Sequence, residues 1–142
     1  MSFSFNEIAD WISLNGNLLL GATGETLYMV AVAGIVGFAV GIPLGVILHT
    51  TKKGGLLENT KLNKILGAVV NVGRSVPFLV LMVAIIPLTN MLIGTFIGTT
   101  AAIVPLTIGA IPFVARLIES ALLEVPTGLV EAAQSMLSLI HI

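Results

Sequence analysis

Two polar clusters stand out in an otherwise apolar chain, and neither is spaced for bond-breaking chemistry. Asn71, Arg74 and Ser75 punctuate one long apolar region. A cation at membrane depth is costly, so it faces a bundle interior or a watery cavity, or it snorkels to the headgroups. Arg74 therefore has two readings, as a residue lining a translocation pathway or as an anchor at the cytoplasmic surface. The second cluster is Pro126-Thr-Gly-Leu-Val-Glu-Ala-Ala133. Glu124-Val125-Pro126 breaks the preceding helix, because a residue before proline is driven out of the helical region. Pro126 then suits the first position of a new helix. That short helix carries an apolar patch of Leu129, Val130 and Ala133, which fits either a membrane surface or a protein partner.

Other candidate chemistry is absent from the sequence. His49 and His141 have no carboxylate or cysteine companions at ligand spacing, so no metal site is expected. There is no Gly-rich phosphate loop, Ser/His/Asp set or carboxylate pair, so neither a cofactor nor an enzyme is expected. The chain has no cysteine, which excludes disulfides, thiolate metal sites and cysteine nucleophiles. With only 6 Lys and Arg, it lacks the basic surface of a nucleic-acid binder.

Composition explains the setting of these clusters. Of the 142 residues, 56% are hydrophobic and 9% charged, and the mean hydropathy is +1.10. Soluble domains carry about 25% charged residues, so the sequence reads as an all-α integral membrane protein. The net charge of −1 decides little, because the placement of charges sets orientation in a bilayer. No Lys or Arg precedes the first apolar stretch, so the signature of a cleavable signal peptide is missing and the first span is expected to be retained. The length leaves room for three spans and no nucleotide-hydrolysing domain.

Thr26 to Leu48 is uncharged and long enough to cross a hydrocarbon core of about 30 Å, and residues 26–48 are expected to be the first span. Lys52, Lys53, Lys61 and Lys64 follow it around a Gly54-Gly55 turn signal, whereas Glu7, Asp10 and Glu25 precede it. The positive-inside rule then puts the lysine loop in the cytoplasm and the N-terminus outside. Residues 75–115 contain no charge. Two further spans are expected there, at 65–88 and 98–118, joined by an outer turn near 89–97. Pro77 and Pro87 should break the hydrogen-bond ladder of the second. Ser4 and Glu7 form a possible capping box ahead of Ile8, Trp11 and Ile12, which suggests a short interfacial helix or an unstructured lead-in.

Ala33, Gly37, Gly41 and Gly45 recur every four residues in the first span and leave one face free of bulk. Such a strip lets another helix approach closely. Packing inside one subunit is preferred over a dimer contact, and Pro43 within the strip should bend the helix.

Glu131-Ala132-Ala133, with Pro126 and Gly128 upstream, resembles the Glu-Ala-Ala loop of permease subunits in bacterial ABC importers. The stretches Asn71 to Leu79, Ala101 to Arg116 and Ala121 to Ala133 are more closely similar to the D- and L-methionine importer permeases, over roughly residues 20 to 136. That resemblance implies a five-span ABC type I importer permease fold, of which about three transmembrane helices are present. It also implies a homodimer in membrane lipid of the bacterial inner membrane, two ATP-binding cassette ATPase subunits and a substrate-binding lipoprotein. By the same resemblance, Pro126, Gly128, Glu131, Ala132 and Ala133 belong to a coupling helix, in a region spanning 126–136, that seats in the ATPase.

The family's loop has a glycine four residues after the second alanine, where this chain has Leu137. Residues 137–142 are also what one frame of a common transposon sequencing adapter encodes, so a non-native tail is expected. Sequencing the locus past Met136 tests this, and a natural stop after Ile142 would refute it. The alternative function is a small membrane protein that binds or regulates a cytoplasmic ATPase without transporting. A membrane-embedded enzyme ranks last for want of catalytic groups.

Overall fold

The first helix is far longer than a span requires. In the computed structural model, which describes residues 4–140, α1 runs unbroken from Phe5–Thr51 for 47 residues. At 1.5 Å per residue that is about 70 Å, more than twice a hydrocarbon core. The expected separate interfacial helix and the expected first span at 26–48 are thus one element. Its start is capped as the sequence suggested: the Glu7 N–H donates to Ser4 Oγ at 3.4 Å and the Ser4 N–H to Glu7 Oε2 at 3.1 Å. No proline lies between Phe5 and Ile42. The polar side chains there fold back on their own helix, Asn15 donating to the Trp11 carbonyl at 2.9 Å and Thr23 to that of Leu19 at 2.7 Å. Nothing in the stretch removes a backbone hydrogen bond.

After the lysine loop come α2 (Thr60–Ser75), α3 (Phe78–Ala84), α4 (Ile86–Ile93), α5 (Thr99–Leu123) and α6 (Thr127–Ile140). The second span expected at 65–88 is corrected here: no single helix covers it. The chain bends by 105° between α2 and α3. Pro77 has no N–H to continue the ladder and drives Val76 out of the helical region, to φ −76° and ψ 124°. Pro87 lies in the first turn of α4, where its missing donor costs nothing. The turn expected at 89–97 narrows to the segment between Ile93 and Thr99, with Gly94 at φ 83° closing α4. The third span begins one residue late and continues past Ile118 to Leu123. Among the described residues two helices, α1 and α5, are long and apolar enough to cross a membrane, and the bent α2–α3 pair makes a third if it counts as one broken span.

Helices α1 and α5 are the main packed pair, and they run parallel. A Cβ added at Gly37 would meet Ala110, at Gly41 Val114, and at Gly45 Ala115 and Ile118, so each turn of one helix advances with a turn of the other. Ala33, Gly37, Gly41 and Gly45 are all buried. Helix α2 closes the group from the side, with Leu48, Val70 and Ala115 as the buried centre and Leu44 and Leu66 packed around it.

The α1–α2 loop satisfies the carbonyls that every helix C-terminus leaves open. Leu57 N–H donates to the Thr50 carbonyl and Asn59 N–H to that of Thr51, both at 3.0 Å. Asn63 Nδ2 reaches the Leu48 carbonyl at 2.6 Å and Thr51 Oγ1 at 3.1 Å. Glycine is needed in this loop: Gly54 has φ +79°, and a Cβ at Gly55 would lie 2.3 Å from the Thr50 oxygen. His141 and Ile142, part of the expected tail, lie outside the described residues.

Candidate functional site

The first assembly is built where α2 ends against α5. Gly73 nests on Pro112, with room for a Cβ only 3.0 Å from Pro112 Cγ. That close approach brings Asn71 to Arg116, whose Nη2 donates to Asn71 Oδ1 while Nη1 pairs with Glu119 Oε2. The pair is half-sheltered, and a bidentate use of one guanidinium across two helices fixes their relative rotation. Ser75 Oγ turns back along its own helix to donate to the Asn71 carbonyl at 2.7 Å. Arg74 remains exposed. It lines two adjoining cavities, one of about 450 Å³ bounded also by Gly73, Phe78, Leu81 and Phe113, and one of about 140 Å³ shared with Arg116 and Ser120.

Asn71, Arg74 and Ser75 are thus close in space, but the partner that ties them to the rest of the fold is Arg116. In the sequence Arg116 and Glu119 are the first charges after the uncharged stretch 75–115. Their three-residue spacing was the available clue, since such residues are neighbours on a helix surface.

The second assembly is α6. Glu124 ends α5, its N–H donating to the Ala121 carbonyl and that of Val125 to the Leu122 carbonyl, both at 3.3 Å, and Pro126 then caps α6 through a 3.1 Å bond from the Leu129 N–H. Pro126 therefore precedes the helix instead of opening it. A helix N-cap contributes its carbonyl and needs no N–H of its own, which proline lacks anyway. Among the described residues α6 packs on no other helix. It overhangs a groove of about 270 Å³ whose far wall is His49, Lys52 and Leu56 and whose near wall includes Val125, Val130 and Glu131. Gly128 meets nothing within 4 Å of an added Cβ, and Glu131, Ala132 and Ala133 are exposed. So are Leu129 at 64% and Met136 at 68%. Leu129 and Met136 thus give this amphipathic helix an exposed apolar face, the kind of surface that marks an interaction site. No group of three or more His, Asp or Glu side chains among the described residues could hold a metal ion.

Two helices long and apolar enough to cross a membrane, the second followed by a helix that packs on no other among the described residues, give the chain the make-up of a membrane component. The model of the family of binding-protein-dependent transport system inner membrane components matches residues 41–136, and the chain belongs to that family. It is 83% identical over 133 residues to the probable D-methionine transport system permease protein MetI of Vibrio cholerae, covering 94% of this chain and 59% of that protein. The D-methionine transport system permease protein MetI of Escherichia coli K12 is 51% identical over 119 residues, covering 84% of this chain and 55% of the relative. The fold matches a chain of the MetNI methionine ABC transporter in an inward-facing conformation, with a TM-score of 0.82 and 51% identity over 84% of this chain and 55% of that one. The chain thus spans a little over half the length of the relatives it matches.

Proposed function

We propose that this chain acts as the permease component of an ATP-driven importer that carries D- and L-methionine across the inner membrane, with ATP hydrolysed by a separate ATP-binding cassette subunit. The observation that carries this reading is α6: it follows a helix long and apolar enough to cross a membrane, bears Glu131-Ala132-Ala133, and packs on no other helix among the described residues. Pro126, Gly128, Glu131, Ala132 and Ala133 then seat in the ATPase, where small residues allow close approach and a rigid-body movement passes to the spans. A substrate-binding lipoprotein delivers the amino acid from outside, a second copy of the permease completes the pathway in membrane lipid, and Asn71, Arg74 and Ser75 line it. The relatives' shared name and the 83% identity support methionine as the cargo.

Two measurements test this. Proteoliposomes holding the complete permease, its ATPase and its binding protein should accumulate labelled methionine only when ATP is supplied. Uptake of an unrelated solute in place of methionine sinks the assignment. For orientation, these 142 residues hold no cysteine, so Lys53→Cys, in a permease with any cysteine elsewhere replaced, reports the lysine loop. It should react with a membrane-impermeant maleimide only after the cells are opened, and labelling of intact cells would invert the proposed topology.

A further inference from the structure

Helix α2 ends at Ser75, two residues ahead of Pro77, and its last turn is left with unmet acceptors. Pro77 has no N–H, so the Gly73 carbonyl has no donor four residues on, and the Val76 N–H is already used by the Val72 carbonyl at 3.2 Å. The C-terminal end of a helix is also the negative end of its dipole. One residue along, Arg74 supplies a positive charge, and among the described residues the ion pair formed is Arg116–Glu119, which does not include it. Gly73 and Arg74 line the same 450 Å³ cavity, whose remaining walls are mainly apolar: Phe78, Leu81, Leu106 and Phe113.

That volume falls in the range of about 300–1,000 Å³ typical of small-molecule sites, which are largely apolar with a few fixed polar groups. A broken helix whose end faces a cavity is also how membrane transporters bring backbone carbonyls to a cationic group. We infer that this cavity is a subsite for a zwitterionic amino acid with a long apolar side chain. Its carboxylate lies on the Arg74 guanidinium, its ammonium on the terminal carbonyls of α2, and its side chain among Phe78, Leu81 and Leu106. Asn71, Arg116 and Glu119 are positioning residues, holding α2 against α5 so that the cavity keeps its shape. The assignment rests on the importer reading above and adds to it the place where the cargo pauses.

Photo-methionine, which carries a diazirine in its side chain, provides the test in proteoliposomes of the complete permease with its ATPase and binding protein. Illumination during ATP turnover should label peptides containing Phe78 to Leu81 and Leu106 to Phe113, and a large excess of L-methionine should suppress the label. Arg74→Gln should cut labelling about tenfold, the loss of one charge-assisted hydrogen bond, while Arg74→Lys keeps most of it. Label confined to other segments while uptake proceeds overturns the subsite and leaves the importer intact. Label that excess methionine does not displace, as for a lipid-filled groove, overturns it equally. Failure of methionine uptake itself removes the importer reading and this inference with it.

Discussion

Replacing Glu131 with Lys in the complete permease should lower ATP-driven methionine uptake at least about tenfold while the ATPase subunits continue to hydrolyse ATP. Tenfold corresponds to about 1.4 kcal/mol, and reversing a charge in a buried docking contact costs about 2–5 kcal/mol, so the expected loss is a lower bound. The placement of the residue makes the effect specific. Glu131 is exposed on a helix that packs against no other helix among the described residues, and such surface positions usually change stability by within about 0.5 kcal/mol. A variant that fails should therefore be present in the membrane in normal amount and fail at force transfer. Comparing uptake with ATP hydrolysis in the same proteoliposomes checks this. Unchanged uptake would take the coupling role away from Glu131, and a parallel loss of protein would turn it into a structural residue.

The groove beneath α6 gives this result a second use. Glu131 shares it with Lys52 and His49, so a lysine at 131 also places two cations on facing walls of one small groove. Repulsion there pushes α6 away from the α1–α2 loop. Glu131→Gln lacks that repulsion, and a smaller defect in it than in Glu131→Lys would divide the effect between the groove and the partner.

The other large effect belongs to the α1–α5 contact. A Cβ at Gly41 would lie 2.6 Å from Val114 Cβ, 2.7 Å from its Cγ1 and 3.1 Å from the Ile111 carbonyl oxygen. Turning a side chain does not move a Cβ, so Gly41→Leu forces the two helices apart. Overpacking of this kind costs about 1–3 kcal/mol, and the upper end is expected because backbone as well as side chain is struck. Association in lipid depends on such close packing, there being no hydrophobic gain from bringing two apolar helices together. Gly34→Leu is the control, since nothing lies within 4 Å of the added Cβ there. Denaturation of the purified protein in a detergent titration should show Gly41→Leu unfolding well before both wild type and Gly34→Leu. Equal midpoints for the two variants would show that α1 and α5 are not held by this seam.

Much of this architecture was legible in the chain because it depends on near neighbours. The capping box at Ser4 and Glu7 is a three-residue relation, the Gly54-Gly55 turn a two-residue one, and the break before Pro126 a property of proline and the residue ahead of it. Gly37, Gly41 and Gly45 declared a close-approach face by their spacing alone. They did not declare which helix would occupy it, and the alternatives of one subunit or two stayed open until α5 was seen lying there in parallel.

What remained hidden involved distance along the chain or direction in space. Pro77 announced a break, but a 105° turn instead of a mild kink depends on where α3 and α5 find packing, which no local rule contains. The unbroken length of α1 was missed because the span was drawn from the uncharged run that begins after Glu25, whereas the polar residues before it, such as Asn15 and Thr23, return their hydrogen bonds to the same helix. Arg116 and Asn71 are 45 positions apart, and only the nesting of Gly73 on Pro112 brings them within reach. Sequence alone determined that this is an apolar helical protein with a polar helix at the far end of its last span, because hydropathy, caps and breaks act over a few residues. The meeting of α2 with α5, the cavity at Arg74 and the isolation of α6 were decided by tertiary structure, since each is set by how whole helices share surface.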